Sequence, residues 1–208
     1  MRYFIVVMVG FRRMGRSEGL MYSMTFLLKL SCYASRQARF LRSKGLDNMT
    51  ALSKSEGLRI EPATIEDLDE LTELVMELFR LEEDFQPDRY KQEHGLRLIL
   101  EQPNRGRIFV VRNDDKIVGM VNILFTISTA EGGMVLLMED LVIHPDHRRR
   151  GFGGLLMKQV LEFAKKRDVR RITLLTDKIS QESQAFFANH GFSHSSMIPM
   201  RLKVTADK

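Results

Sequence analysis

Residues 134–166 read MVLLMEDLVIHPDHRRRGFGGLLMKQVLEFAKK, and the order of residue types along this stretch decides the fold. An apolar run from Met134 to Ile143 has the character of a strand. A short polar turn, His144 to His147, follows it. Then comes a basic, glycine-rich elbow, Arg148-Arg149-Arg150-Gly151-Phe152-Gly153-Gly154. Beyond the elbow Leu156, Val160, Phe163 and Ala164 recur at i, i+4, i+7 and i+8, which is one face of a helix. A strand therefore feeds a glycine elbow at a helix N-terminus.

That arrangement makes an anion site. The first N–H groups of a helix have no intrahelical partner. The helix dipole places roughly half a positive charge there. Gly151 and Gly153 allow close backbone approach and positive φ, and Arg148, Arg149 and Arg150 add long-range attraction. A phosphate or pyrophosphate is the natural guest. The P-loop pattern is excluded, because Leu155 and Leu156 stand where Lys-Ser/Thr would be needed. The dinucleotide pattern GxGxxG is excluded too, since the glycines fall at 151, 153 and 154.

What the stretch does resemble is the acyl-CoA-binding motif of the GNAT N-acetyltransferase superfamily, Arg/Gln-x-x-Gly-x-Gly/Ala at a helix start after a strand ending in an L-x-V-x-P-like run. The matching residues are Leu141, Val142 or Ile143, Pro145, Arg148, Gly151 and Gly153. A second match is FFANHGF, Phe186 to Phe192, which is similar to the family's F-Y-x-x-x-G-F signature. The resemblance spans about residues 57–205. It implies an α/β fold of α+β type, with a central mixed, mostly antiparallel twisted sheet of about seven strands and about four flanking helices.

The same resemblance implies acetyl-CoA as donor, no metal, and a primary amine or related nucleophile as acceptor. Backbone groups of Leu141, Val142 and Ile143 would pair with the pantetheine arm like a neighbouring strand. The N–H groups from Arg149 to Gly154, Phe152 included, would bind the pyrophosphate. Ser180 and Phe187, at the family's capping-Asn and tyrosine positions, are expected beside the donor.

Transfer to an amine needs a base for the amine proton and a hydrogen-bond donor for the developing oxyanion. Glu139 and Asp140 interrupt an apolar strand, which is costly unless they serve or are solvated. Burial would raise a carboxylate into the range useful to a base. Glu139, two residues before Leu141, is the first choice and Asp140 the second; a carboxylate satisfied by Arg or backbone groups is the competing reading. No tyrosine acid is available, because Phe187 stands in its place. Ser183, His190 or water could protonate the thiolate, and a CoA thiolate also leaves tolerably without help. His144 and His147 read as solvent-facing or capping. Glu82-Glu83-Asp84 reads either as a solvated acidic loop or as an attractor of cationic amines.

The rest of the chain agrees with this order. Leu58–Glu61 reads as a strand, Thr64 as an N-cap, and Leu68, Leu71, Val75 and Leu78 as a helical stripe. A second helix is expected over Asp88–Glu101. Strands are expected over Arg107–Arg112, Ile117–Ile127 and Arg171–Leu175, with Gly119 at a bulge. A short helix should cover Gln181–His190, closed by Gly191. Phe192–His194 and Met197–Val204 are expected to close an antiparallel hairpin.

Composition sets the remaining bounds. The chain has 208 residues, 44% hydrophobic and 28% charged, within the ordinary globular range. Its single Cys32 cannot form an internal disulfide, so a reducing, cytoplasmic compartment is expected. No Cys/His cluster has zinc spacing. The net charge is +5, but residues 1–48 hold nine Lys and Arg against two acids. The body, residues 49–208, is therefore mildly acidic, which argues against a nucleic-acid binder.

Residues 1–48 form a basic N-terminal extension with no apolar run long enough to span a bilayer. An organelle transit peptide, a membrane-surface segment and untranslated upstream sequence before a start at Met49 all fit its composition. The expected acceptor is a small-molecule or peptide amine, and a homodimer is compatible with the family. Small amines, amino-acid derivatives, aminoglycosides and protein N-termini or lysines stay open, because acceptor pockets are built from loops, here Phe85–Gln92 and Ser128–Gly133.

Overall fold

The computed structural model describes residues 57–80, 86–176, 180–202 and 204. The N-terminal extension, the acidic run Glu82-Glu83-Asp84 and Phe85 lie outside the described residues. Among these described residues five strands form one sheet in the order β1 (Leu58–Pro62), β2 (Gly106–Asn113), β3 (Lys116–Ser128), β4 (Gly133–Ile143) and β5 (Arg171–Leu174). The first three pairings are antiparallel, and β4 and β5 are parallel. Four α-helices among the described residues accompany them: α1 (Leu68–Phe79), α2 (Arg89–Glu101), α3 (Phe152–Lys166) and α4 (Gln181–Asn189). Among the described residues no helix is long and apolar enough to cross a membrane.

Each face of the sheet is covered. Ile108, Val110, Met120 and Val142 pack with Leu71, Val75 and Leu96 of α1 and α2. Phe109, Val111, Val121, Ile123, Leu136 and Met138 pack with Leu156, Met157 and Val160 of α3. Strand alternation explains the division, because neighbouring side chains point to opposite faces. Burial on both faces also explains why these strands read as almost unbroken apolar runs. The parallel β4–β5 pair requires a crossover, and α3 supplies it.

Helix ends follow their local chemistry. Asp88 caps α2 by accepting from the Lys91 N–H at 3.3 Å, and Gln92 Oε1 accepts from the Asp88 N–H at 2.6 Å. At the end of α4 the Gly191 N–H donates to Ala188 and the Phe192 N–H to Phe187, with Gly191 at φ 92°. This is a Schellman closure, and the rings of Phe187 and Phe192, 5.8 Å apart, provide its apolar contact.

The sheet has fewer strands than expected. Phe192–His194 and the described part of Met197–Val204 are not strands. Met197, Ile198, Met200, Leu202 and Val204 are 81–91% exposed, so their alternation meets no second surface. Pro199, which has no N–H to give a ladder, interrupts the segment.

One buried ion cluster joins the β1–β2 edge to the start of α1. Arg112 Nη2 lies 2.6 Å from Asp67 Oδ1, and Arg112 Nε donates to Glu61. The second oxygen of Asp67 accepts from the Thr64 N–H at 2.9 Å. Arg112 and Asp67 side chains are only 14% and 8% exposed. Removing the guanidinium strands a buried carboxylate, so Arg112→Met should destabilise the protein by about 3 kcal/mol. Urea unfolding measures this; a change within ~0.5 kcal/mol would mean the cluster is solvated.

Candidate active site

The site forms where β4 leaves β5. Their pairing runs from Val135–Arg171 to Met138–Leu174 and stops, yet β4 continues for five more residues. From Glu139 to Ile143 the side of β4 turned away from β3 has no strand partner among the described residues. A row of backbone groups with no ladder is a ready-made docking edge for an extended ligand.

At the same point β4 carries a bulge. Val121 pairs with Leu141 and Ile123 with Met138, so Glu139 and Asp140 together oppose the single residue Asn122. The extra residue reverses the alternation of the strand. Leu136 and Met138 face α3, and beyond the bulge Leu141 and Ile143 face α3 while Val142 faces α1 and α2.

The two carboxylates are thereby separated in environment. Glu139 is exposed. Asp140 is partly buried, and its Oδ2 accepts from Asn122 Nδ2 at 3.4 Å. Burial pushes the Asp140 carboxyl up to about 6, with the Asn122 amide opposing the rise and the neighbouring Glu139 charge adding to it. Both acids interrupt the apolar strand, and Glu139 is the first choice by its position two residues before Leu141; of the two, it is Asp140 that burial affects. Asn122, 3% exposed, is a site residue that the sequence reading missed. Its signal was a lone amide in the apolar run IVGMVNILF.

The elbow follows β4 through a short 3-10 turn, Pro145–His147. His144 caps that turn by accepting from the Asp146 N–H at 3.4 Å, and the His147 ring lies over Phe152 at 6.3 Å. Arg148 bends back, its Nε donating to the Ile143 carbonyl at 3.0 Å. It therefore ties the strand end to the elbow, while Arg149 and Arg150 are exposed. Gly151 is the N-cap of α3 at φ 83°, a conformation that a Cβ disfavours. The helix ladder begins with the Leu155 N–H on the Gly151 carbonyl at 3.2 Å. The N–H groups of Phe152, Gly153 and Gly154 thus precede the ladder, as the anion site requires.

Gly153 has a different reason from Gly151. A Cβ there would stand 3.3 Å from Phe186 Cζ, so the missing side chain makes room for α4. His190 closes the same contact, its Nδ1 2.8 Å from the Phe186 carbonyl. Ser180 caps α4, accepting from the Ser183 N–H at 3.3 Å, and the two hydroxyl oxygens are 2.8 Å apart. Phe187 packs on Phe186, Phe192 and the α3-side core. The residues gathered at the splay are Glu139 to Ile143 and Asn122, with the elbow at the strand's end. An open concavity of about 490 Å³, lined by Asn104, Phe125, Ile127 and Met134, sits at the opposite end of the β3–β4 hairpin.

Comparison with known proteins gives the same answer. The chain is 28% identical over 143 residues to an uncharacterised N-acetyltransferase of Methanocaldococcus jannaschii, a match covering 67% of this chain and 62% of that protein. The chain thus spans less than two thirds of that relative's length. Among solved structures, a possible acetyltransferase from Clostridium difficile 630 superposes with a TM-score of 0.66 at 18% identity, covering 72% of this chain and 99% of that one. An aminoglycoside acetyltransferase from an uncultured soil metagenomic sample, in complex with sisomicin, has a TM-score of 0.60 at 20% identity, over 72% and 97% of the two chains. Both likenesses are of fold. The acetyltransferase (GNAT) family pattern itself matches residues 68–192, which takes in α1, the β4 bulge, the elbow and the Schellman closure. With strand, elbow and family pattern in register, the chain belongs to the GNAT family of acetyltransferases.

Proposed function

We propose that the chain is an N-acetyltransferase that moves the acetyl group of acetyl-CoA directly to an amine, with residues 49–208 as its catalytic body. The observation that carries this reading is the carboxylate of Asp140, enclosed at the bulge beside the open edge of β4. The donor fits what is present. The unladdered backbone from Leu141 to Ile143 suits the amide-bearing pantetheine arm. The N–H groups of Phe152, Gly153 and Gly154, with Arg149 and Arg150 outside them, suit the pyrophosphate. Acetyl-CoA supplies the activated acyl group.

The chain's own residues do the rest. Asp140 accepts the proton of the incoming amine, directly or through water; a base near 6 is mostly ionised at neutral pH. A backbone N–H of the open edge near Leu141 polarises the thioester carbonyl. Glu139, exposed beside Asp140, adds negative charge that attracts an ammonium form of the acceptor. The acceptor class stays broad: small amines, amino-acid derivatives, aminoglycosides and peptide amines all present the same group.

A second reading has one observation behind it. Phe187 closes a helix instead of offering a hydroxyl, and Ser183 is engaged with Ser180. A CoA-binding sensor without meaningful turnover would look the same. Calorimetric titration of acetyl-CoA into the full chain, followed by thiol release across a panel of amines, separates the two. Micromolar binding with turnover of at least one amine is the expected result. Binding without turnover would support the sensor, and no binding by a folded protein would sink both.

A further inference from the structure

Three buried polar side chains stand out in the described core: Asp67, Thr72 and Asn122. The first two are accounted for. Asp67 pairs with Arg112 and caps a turn, and Thr72 donates to the Leu68 carbonyl at 2.7 Å. Asn122 is not accounted for by folding. It sits between the core residues Val121 and Ile123, its Oδ1 is buried without a partner, and its one polar contact is Asp140. A buried amide half-satisfied costs stability that leucine of similar size would not. The bulge places this amide opposite Glu139 and Asp140, and of the two it meets Asp140.

We propose that Asn122 is a positioning residue for acyl transfer: its side-chain N–H, donating to Asp140 Oδ2 across the bulge, fixes the direction of the carboxylate that receives the amine proton. The inference rests on Asp140 being the base. Val121 and Ile123 face α3, so Asn122 and the carboxylate it holds lie on the α1–α2 side of the sheet. The donor also favours the ionised carboxylate, against the burial that disfavours it.

Several charges on the neighbouring elements have partners of their own. On α1, Asp69 and Glu73 pair with Arg89, Glu77 pairs with Arg80, and Glu70 accepts from the Ile117 N–H. Arg171 of β5 pairs with Glu131, and exposed Lys116 begins β3. Lys158, Glu162, Lys165 and Lys166 belong to α3 on the opposite face. Among the described residues Glu139 is the charge that bears on Asp140.

The test uses Asn122→Leu and Asn122→Asp in the full chain, with the Asp140 carboxyl titrated by carbon-13 NMR and the pH profile of kcat/KM recorded in parallel. Both variants should move the Asp140 midpoint, and the acid limb of the profile, upward by about one pH unit. Acetyl-CoA affinity should stay within twofold, and kcat should fall about tenfold at neutral pH. Loss of packing alone would leave the midpoint in place. An unmoved midpoint in either folded variant, alongside an inactive Asp140→Asn, overturns this proposal and leaves the base assignment standing. Full activity in Asp140→Asn overturns both.

Discussion

Replacing Asp140 with asparagine should lower kcat by roughly 10²–10⁴-fold while leaving acetyl-CoA bound as before. The amide keeps the shape and can still meet Asn122, but it cannot take a proton. In the parent, activity should fall as pH drops through about 6, where Asp140 gains its proton. The variant should lose that limb. Steady-state rates from pH 5 to 8 and a calorimetric affinity for acetyl-CoA measure both. A retained limb near 6 in the variant would assign the ionisation to another group.

The same substitution should make the protein more stable. The folded-state carboxyl lies at about 6, above its ordinary 3.8, so folding favours the protonated form. The group's contribution is fully present below about 4 and is lost as pH rises through 6. Above that, the buried negative charge costs about 3 kcal/mol, which asparagine avoids. Melting temperatures of parent and variant should separate at pH 7 and converge near pH 4. Stability sacrificed at one carboxylate, with activity gained there, is the trade expected of a functional group.

A second large effect is expected at the elbow. Gly151→Glu should weaken acetyl-CoA binding about 100-fold, because like charges placed together cost several kcal/mol. Gly151→Asn is the matched control. Asparagine tolerates the left-handed conformation at φ 83° and is a good N-cap. The control should melt within a few degrees of the parent and bind the donor within about tenfold. Equal weakening in both variants would mean that the elbow excludes side chains without holding a phosphate. Gly153 is the poorer place for this experiment, since its substitution also pushes Phe186.

The backbone of the candidate site was readable from residue order. A strand, a proline turn, basic residues and spaced glycines announce a strand–elbow–helix, and each local propensity agrees with the structure. Among the described residues the five strands and three of the four helices were expected within a residue or two; α1 starts at Leu68, because Thr64 opens a 3-10 turn, Ile65–Asp67, before it. The carboxylate pair was not readable to the same depth. Glu139 and Asp140 are adjacent acids, and alternation alone cannot say which one is enclosed. The bulge decides, and it is a property of β3–β4 register that no single segment displays. Asn122 was hidden for the same reason, its partner lying 18 residues away. The C-terminal hairpin was expected from alternation in Met197–Val204, but alternation is only a request for a second surface, and among the described residues none meets it.

The bulge also fixes what editing of this chain the fold can absorb. A substitution at Glu139 or Asp140 changes the chemistry at one address. Deleting either residue would change every address after it. Strict alternation would return, Leu141 and Ile143 would swing from the α3 face to the α1–α2 face, and Val142 would take the reverse path. Two buried layers would be mispacked at once and the elbow rotated out of line with its strand. The spacing between Met138 and Leu141 is thus a frame, in the sense that a reading frame is: tolerant of altered letters and intolerant of a missing one.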